Sequence, residues 1–120
     1  VYDEVEAENA EMVTVETLDG LVDRLALSRV DFVKIDVEGA ETSVLKGAGS
    51  VLRQLRPLLL LEVNEQALKA QGTGSAALVE MLKAEFRYEV LVFSEATGRV
   101  EMLQEGGGLS SNIVAAPAER

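Results

Sequence analysis

The stretch VDFVKIDVEGAETSVLKGAG, residues Val30–Gly49, constrains the fold more than any other part of the chain. Its first part, Val30–Val37, is rich in β-branched and apolar residues and predicts a strand buried on both faces of a parallel sheet. From Ala40 the apolar residues recur at every third or fourth position, which predicts a helix to about Gln54. Gly39 lies between them, where a glycine permits a tight turn or a close ligand. We therefore expect a strand, a turn and a helix in direct succession.

A second buried strand is predicted at Leu58–Val63, which has the sequence LLLLEV and follows Pro57. Two buried strands joined by a helix form a right-handed unit in which the strands are parallel. Their carboxyl ends then meet at one edge of the sheet, where ligands of open α/β sheets bind. We expect Asp36, Glu38 and Glu62 to converge there.

Carboxylates at such an edge suit two kinds of chemistry. Asp36 and Glu62 can accept a proton from a substrate hydroxyl, or they can hold Mg²⁺ together with Glu38. Lys34 can pair with Asp36 or Glu62, either to orient a substrate or only as a buried charge that neutralises them. Asn64 is a further candidate for orienting a substrate.

The same acidic residues also have a purely structural interpretation. Asp36 or Glu38 can accept hydrogen bonds from the first amides of the following helix, and Glu41 favours the positive end of that helix. Gly39 and Glu41 are therefore predicted to shape the turn. Both interpretations remain open from the residues alone.

The rest of the chain alternates between short apolar-periodic segments and loops. The helix after Gly39 is predicted to weaken at Gly47–Gly49, and GGGLSS, residues 106–111, is predicted to be a loop. The other predicted elements are a strand at Met12–Val15, a helix at Leu18–Leu27 capped by Thr17, a helical turn at Asn64–Ala70, a helix from Ala76 to about Glu85 capped by Ser75, a strand at Tyr88–Phe93 that turns through Gly98 into Arg99–Leu103, and a closing strand at Ile113–Ala116.

Length and composition predict one domain. The chain has 120 residues, 48% of them apolar, and divides into an acidic lead-in at 1–11, the domain at 12–117 and a tail at 118–120. A net charge of -10 with dispersed Lys and Arg argues against nucleic acid, and no apolar run is long enough to cross a membrane. We expect a cytoplasmic protein with a small-molecule substrate. The chain contains no cysteine and no histidine, so a general base must be a carboxylate, Lys, Tyr or the substrate itself.

The stretch VDFVKIDVEGAETSVLKGAGSVL followed by RPLLLLEV, with TLDGLV before it and SNIVAAP after it, resembles the central signature of the FkbM-type methyltransferases. The likeness runs from about Val13 to Pro117. It implies a partial Rossmann-like class I methyltransferase fold of the α/β class, with a parallel βαβ core and a carboxyl-terminal antiparallel hairpin and strand. It also implies methyl transfer from S-adenosylmethionine, commonly to a hydroxyl of a sugar, polyketide or other small metabolite, with Asp36 as the first choice for the base.

The resemblance covers only the carboxyl-terminal half of such a domain. In the family the cofactor site is built mainly on the first two strands, from a glycine-rich turn and an acidic residue for the ribose, and neither occurs in these 120 residues. Together with a first residue that is not Met, this predicts an incomplete domain that holds the cofactor poorly.

Two other interpretations stay open. The VDFVKID segment also resembles the KID strand of EAL-type cyclic-diguanylate phosphodiesterases, although these are (β/α)₈ barrels and the following EGAE does not match. The chain can also be a non-catalytic folding or dimerisation module, with an exposed sheet edge that pairs two copies.

Overall fold

The computed structural model describes residues 11–103 and 111–119. The predicted acidic lead-in, apart from Glu11, and nearly all of the predicted loop at 106–111 lie outside these ranges. The strands are β1 (Phe32–Ile35), β2 (Leu58–Val63), β3 (Tyr88–Ser94), β4 (Arg99–Met102) and β5 (Ser111–Pro117). The helices are α1 (Leu18–Arg24), α2 (Glu41–Lys46), α3 (Glu65–Ala70) and α4 (Ser75–Glu80), with π-helical segments at Val51–Leu55 and Met81–Glu85.

The five strands form one mixed sheet in the order β1-β2-β5-β3-β4. β1 and β2 are parallel, with Ile35 opposite Leu61. β5 is antiparallel to both of its neighbours, and its Ala115 pairs with Leu59 of β2 on one side and Val90 of β3 on the other. The predicted α/β class, with a parallel pair and a carboxyl-terminal hairpin and strand, is thus confirmed.

The hydrophobic core lies between the helices and one face of the sheet. Along β2 every second side chain, at Leu59, Leu61 and Val63, is buried, as the two-residue period of a strand requires. The helical side chains that pack in the same cluster are Leu45, Leu52, Leu68, Leu78 and Leu82.

The opposite face of the sheet is much less covered, and this corrects the prediction for β1. Within the described residues, β1 has a neighbouring strand on one side only. Phe32 is 53% exposed, Lys34 is exposed, and only Ile35 of this strand is buried. The prediction that β1 is buried on both faces is therefore wrong, and so is the interpretation of Lys34 as a buried neutraliser.

Two elements near the amino end differ from the prediction: one helix is shorter and one strand is absent. The Thr17 hydroxyl accepts a hydrogen bond of 3.0 Å from the amide of Gly20, so the predicted cap is confirmed. Helix α1 nevertheless ends at Arg24 instead of Leu27, because Ala26 takes a left-handed φ of +53°. The strand predicted at Met12–Val15 is wrong: these residues form no sheet pairs and the Met12 side chain is fully exposed.

The second half of the chain follows the predictions more closely. The helix after the turn breaks after Lys46, and it resumes in a π-helical turn closed by a 3.1 Å bond from the Arg56 amide to the Val51 carbonyl. The β3–β4 hairpin turns through Gly98 at φ +68° as predicted. Ser75 is not a cap, because Gly74 precedes the helix and the Ser75 amide instead donates to the Glu65 carboxylate.

None of the helices in the described part of the chain is long and apolar enough to span a bilayer. The cytoplasmic location stays a prediction.

Candidate active site

The parallel register of β1 and β2 brings two acidic residues side by side. Ile35 pairs with Leu61, so the next residues along the strands, Asp36 and Glu62, are neighbours at the carboxyl ends. Their side chains are close enough for Asp36 to change the pKa of Glu62. The expected convergence of Asp36 and Glu62 is therefore observed.

Glu62 is the member of this pair whose titration is altered. Repulsion from the Asp36 carboxylate raises the pKa of Glu62, and the hydrogen bond between the two side chains adds to the effect. Partial desolvation also raises this pKa, as does the more remote Glu95, whereas the Lys34 ammonium lowers it. Glu62 thus keeps its proton to a higher pH than a free glutamate does.

A cavity of about 630 Å³ opens beside Glu62 at the same edge of the sheet. Its polar lining includes Asn64 after β2, Glu95 after β3 and Asn112 on β5, with Glu101 on β4. The Asn112 side-chain amide donates a 3.1 Å hydrogen bond to the Glu95 carboxylate. Asp36 is not among the residues that line the cavity, but it lies next to Glu62, which does line it.

Glu95 and Asn112 were not predicted from the sequence as site residues. Both lie next to predicted strands, but their place in the site depends on β5 lying between β2 and β3, with Asn112 opposite Glu62. Glu95 could have been suggested by its position directly after β3, because β3 ends at the same edge of the sheet as β1 and β2. The strand order that brings Asn112 beside β2 has no local sequence signal.

The two remaining predicted site residues are Lys34 and Asn64, and both have contacts that do not involve a substrate. Lys34 is exposed on β1, within electrostatic range of Glu62. The Asn64 side-chain oxygen accepts a 2.9 Å hydrogen bond from the Ala67 amide and so caps α3. The roles of Lys34 and Asn64 in orienting a substrate stay predictions.

The described residues give no support to the predicted magnesium site. Over residues 11–103 and 111–119, no three acidic side chains come close enough to hold a metal ion together. Glu38 is exposed in the turn after β1, with a left-handed φ of +46°, and it is not among the groups that act on Glu62. The magnesium site predicted at Asp36, Glu38 and Glu62 therefore has no support from the described residues and stays a prediction.

The predicted structural roles of Gly39 and Glu41 agree with the contacts in the turn. Gly39 has a φ of +101°, a conformation that favours glycine. The side chain of Glu41 is fully buried, and both of its oxygens accept from the Gly39 amide, at 3.3 and 3.0 Å. This pair of residues fixes the exit of β1 next to Asp36.

A parallel strand pair with an acidic pair at its carboxyl edge defines an α/β protein with its site at the strand ends. The methyltransferase FkbM domain model matches residues 3–90 of the chain, which include β1, the turn and β2. The chain belongs to the FkbM family of methyltransferases. No match was found among curated proteins or among solved structures.

Proposed function

We propose that the chain provides the acceptor side of an S-adenosylmethionine-dependent O-methyltransferase acting on a hydroxyl of a sugar, polyketide or other small metabolite. The family membership supports methyl transfer in general. The observation that carries the choice of a hydroxyl is the Asp36–Glu62 pair, because two adjacent carboxyl groups at the strand ends can accept the proton of a hydroxyl, and the pKa of Glu62 is raised toward the range of a general base. The adjacent cavity is of a size suited to a small molecule.

In this proposal the two carboxyl groups have different roles. Asp36 accepts the proton that the acceptor hydroxyl loses as its oxygen is methylated. Glu62 lines the cavity and orients the acceptor beside Asp36. Its pKa is raised because two close carboxyl groups do not both ionise readily. Alignment of the acceptor oxygen with the methyl group would account for most of the rate enhancement.

The glycine turn beside the acidic pair leaves no open space for a cofactor. A Cβ added to Gly39 would meet the Ala67 carbonyl, and one added to Gly47 would meet Thr17. Gly72 and Gly98 have open space, but both lie in loops outside the turn after β1. We therefore assign these residues to the acceptor alone and place no reaction step on bound cofactor.

The proposal is tested by methyl transfer from labelled S-adenosylmethionine to a panel of hydroxylated sugars and polyketides. Asp36→Asn should reduce turnover at least about ten-fold, because general-base catalysis contributes factors of that order or more. Asp31→Asn is the matched control, since Asp31 is an exposed aspartate that pairs with Arg29. An unchanged rate in Asp36→Asn would remove Asp36 from the mechanism.

A second measurement is calorimetric titration of the purified chain with S-adenosylmethionine and S-adenosylhomocysteine. Micromolar binding would support catalysis by this chain on its own. Absence of binding would leave the acceptor role to be tested in the presence of whatever completes the cofactor site.

A non-catalytic module that dimerises is the second candidate function. One observation favours it: in the described part of the chain, β1 has β2 as its neighbour on one side and no strand on the other. An unpaired strand edge can bind the same edge of a second copy. The two candidates are separated by turnover and by oligomeric state, which are independent measurements.

A further inference from the structure

Among the residues that the structure describes, Glu41 is the one fully buried acidic side chain. The proposed mechanism does not use it. It is the first residue of α2, and its side chain has no exposed surface. Burying a carboxylate is costly unless hydrogen bonds and favourable dipoles compensate. Its oxygens accept from the Gly39 amide at 3.3 and 3.0 Å, and its position in the first helical turn is also favourable.

The amide that Glu41 binds belongs to an unusual turn. The Ala40 amide donates to the Val37 carbonyl at 3.3 Å, and the two central residues, Glu38 and Gly39, have φ values of +46° and +101°. Two successive left-handed residues are typical of a type I′ turn, and a non-glycine residue such as Glu38 adopts this conformation only at a cost. The Glu41 carboxylate offsets that cost by fixing the Gly39 amide from inside the protein.

The turn also rests on the helix that follows β2. A Cβ on Gly39 would lie 2.4 Å from the Ala67 carbonyl oxygen, so the backbone of the turn touches the backbone of α3. The Ala67 amide is itself held at 2.9 Å by the side chain of Asn64, the first residue after β2. The contacts therefore run without interruption from Glu41 through Gly39 and Ala67 to Asn64.

We infer that Glu41 is a positioning residue, which acts through Gly39 and α3 to hold Asp36 and Glu62 next to each other. Asp36 lies three residues before Gly39, and Glu62 lies two residues before Asn64. Locking the turn onto α3 thus fixes one strand end against the other. The inference rests on the proposed function for its catalytic meaning, but the contact itself does not depend on it.

The test follows the Glu62 carboxyl by carbon-detected NMR titration in Glu41→Ala and Glu41→Gln. Both variants remove the same charge, but Gln keeps an acceptor for the Gly39 amide. We expect the raised pKa of Glu62 to persist in Glu41→Gln and to return toward its ordinary value in Glu41→Ala, because Asp36 moves away. The other charged groups that act on Glu62, which are Lys34 and Glu95, are unchanged in both.

Equal titration of Glu62 in the wild type and in both folded variants would overturn the inference. If Glu41→Ala does not fold, hydrogen exchange of the wild-type Gly39 amide decides, with protection on the order of 100-fold expected for a bond to a buried carboxylate and none if the contact is absent. If Glu62 titrates as expected in both variants but the chain transfers no methyl group, the proposed function is rejected and the positioning role of Glu41 stands.

Discussion

At the scale of single residues, the Asp36–Glu62 pair links stability to pH. The pKa of Glu62 is raised in the folded chain, first by repulsion from Asp36. The folded state therefore binds this proton more tightly than the unfolded state does, and ionisation of Glu62 weakens the folded state as the pH rises through that pKa. The pair therefore destabilises the fold at pH values above that raised pKa.

This sign gives a prediction for Glu62→Gln. The variant should have a higher Tm than the wild type at pH values above the raised pKa of Glu62, where it removes the repulsion, and the same Tm at about pH 3, where Glu62 is protonated in both states. Thermal unfolding across this range is the measurement. Glu89→Gln is the control, because Glu89 is exposed on β3, which β2 and β5 separate from β1. A Tm difference that does not depend on pH would contradict the pairing.

Gly39 carries the second residue-scale prediction. Its φ of +101° and the 2.4 Å approach to the Ala67 carbonyl both penalise a Cβ. Gly39→Ala should lower the free energy of unfolding by about 3 kcal/mol or more, since left-handed strain and a steric clash add together. Gly72→Ala is the matched control, because Gly72 has a φ of +79° with open space around it, so only the backbone strain of about 1–2 kcal/mol applies. Similar losses in urea titrations of both variants would argue against the close contact.

At the scale of elements, Arg56 joins the turn before β2 to the segment after β5. Its guanidinium donates to the carbonyls of Phe86 and Arg87 at 2.6 and 2.9 Å, binds the Glu119 carboxylate through two nitrogens, and stacks on Tyr88. A planar guanidinium satisfies this set of acceptors simultaneously, whereas an ammonium does not. The carboxyl end of the described chain is thereby fixed to the core.

Arg56→Lys should therefore be far more costly than the same substitution at an exposed ion pair. We expect a loss of about 2 kcal/mol in the free energy of unfolding at Arg56, from the charge-assisted bonds that lysine cannot reproduce. Arg29→Lys should change it by less than about 0.5 kcal/mol, since Arg29 and Asp31 are both exposed. Urea unfolding measures both, and equal losses would show that Arg56 is an ordinary surface residue.

The elements also show how far the sequence alone could lead. The strand predicted from the apolar run at Leu58–Val63 has the same bounds as β2. Thr17 caps α1 and Gly98 forms the hairpin turn, both as predicted, because these signals are local. β1 was assigned a second buried face because apolar residues in a strand do not reveal whether anything packs against them. Glu95 and Asn112 were missed because strand order depends on pairing between segments that are distant in sequence.

At the scale of the whole molecule, charge and exposed apolar surface act in opposite directions. The formal net charge of -10 favours dispersed single chains through mutual repulsion. The sheet nevertheless presents large apolar side chains on its less covered face, and such patches mark surfaces that bind a partner. The exposed members on β1 and β4 are Phe32, Val100 and Met102. Because salt screens the charges and leaves apolar burial intact, ionic strength decides which effect prevails.

We therefore predict that purified chains associate more strongly as salt is raised, and that Phe32→Lys suppresses this association. Sedimentation velocity at low and high ionic strength measures it. Leu25→Lys is the matched control, because this substitution adds the same charge at a residue of similar exposure, 51% for Leu25 against 53% for Phe32. Leu25 lies in the turn after α1, away from the sheet. If only Phe32→Lys remains monomeric at high salt, the open side of the sheet is the contact surface. If both variants behave like the wild type, the association does not involve β1, and the dimerisation candidate loses the observation that favoured it.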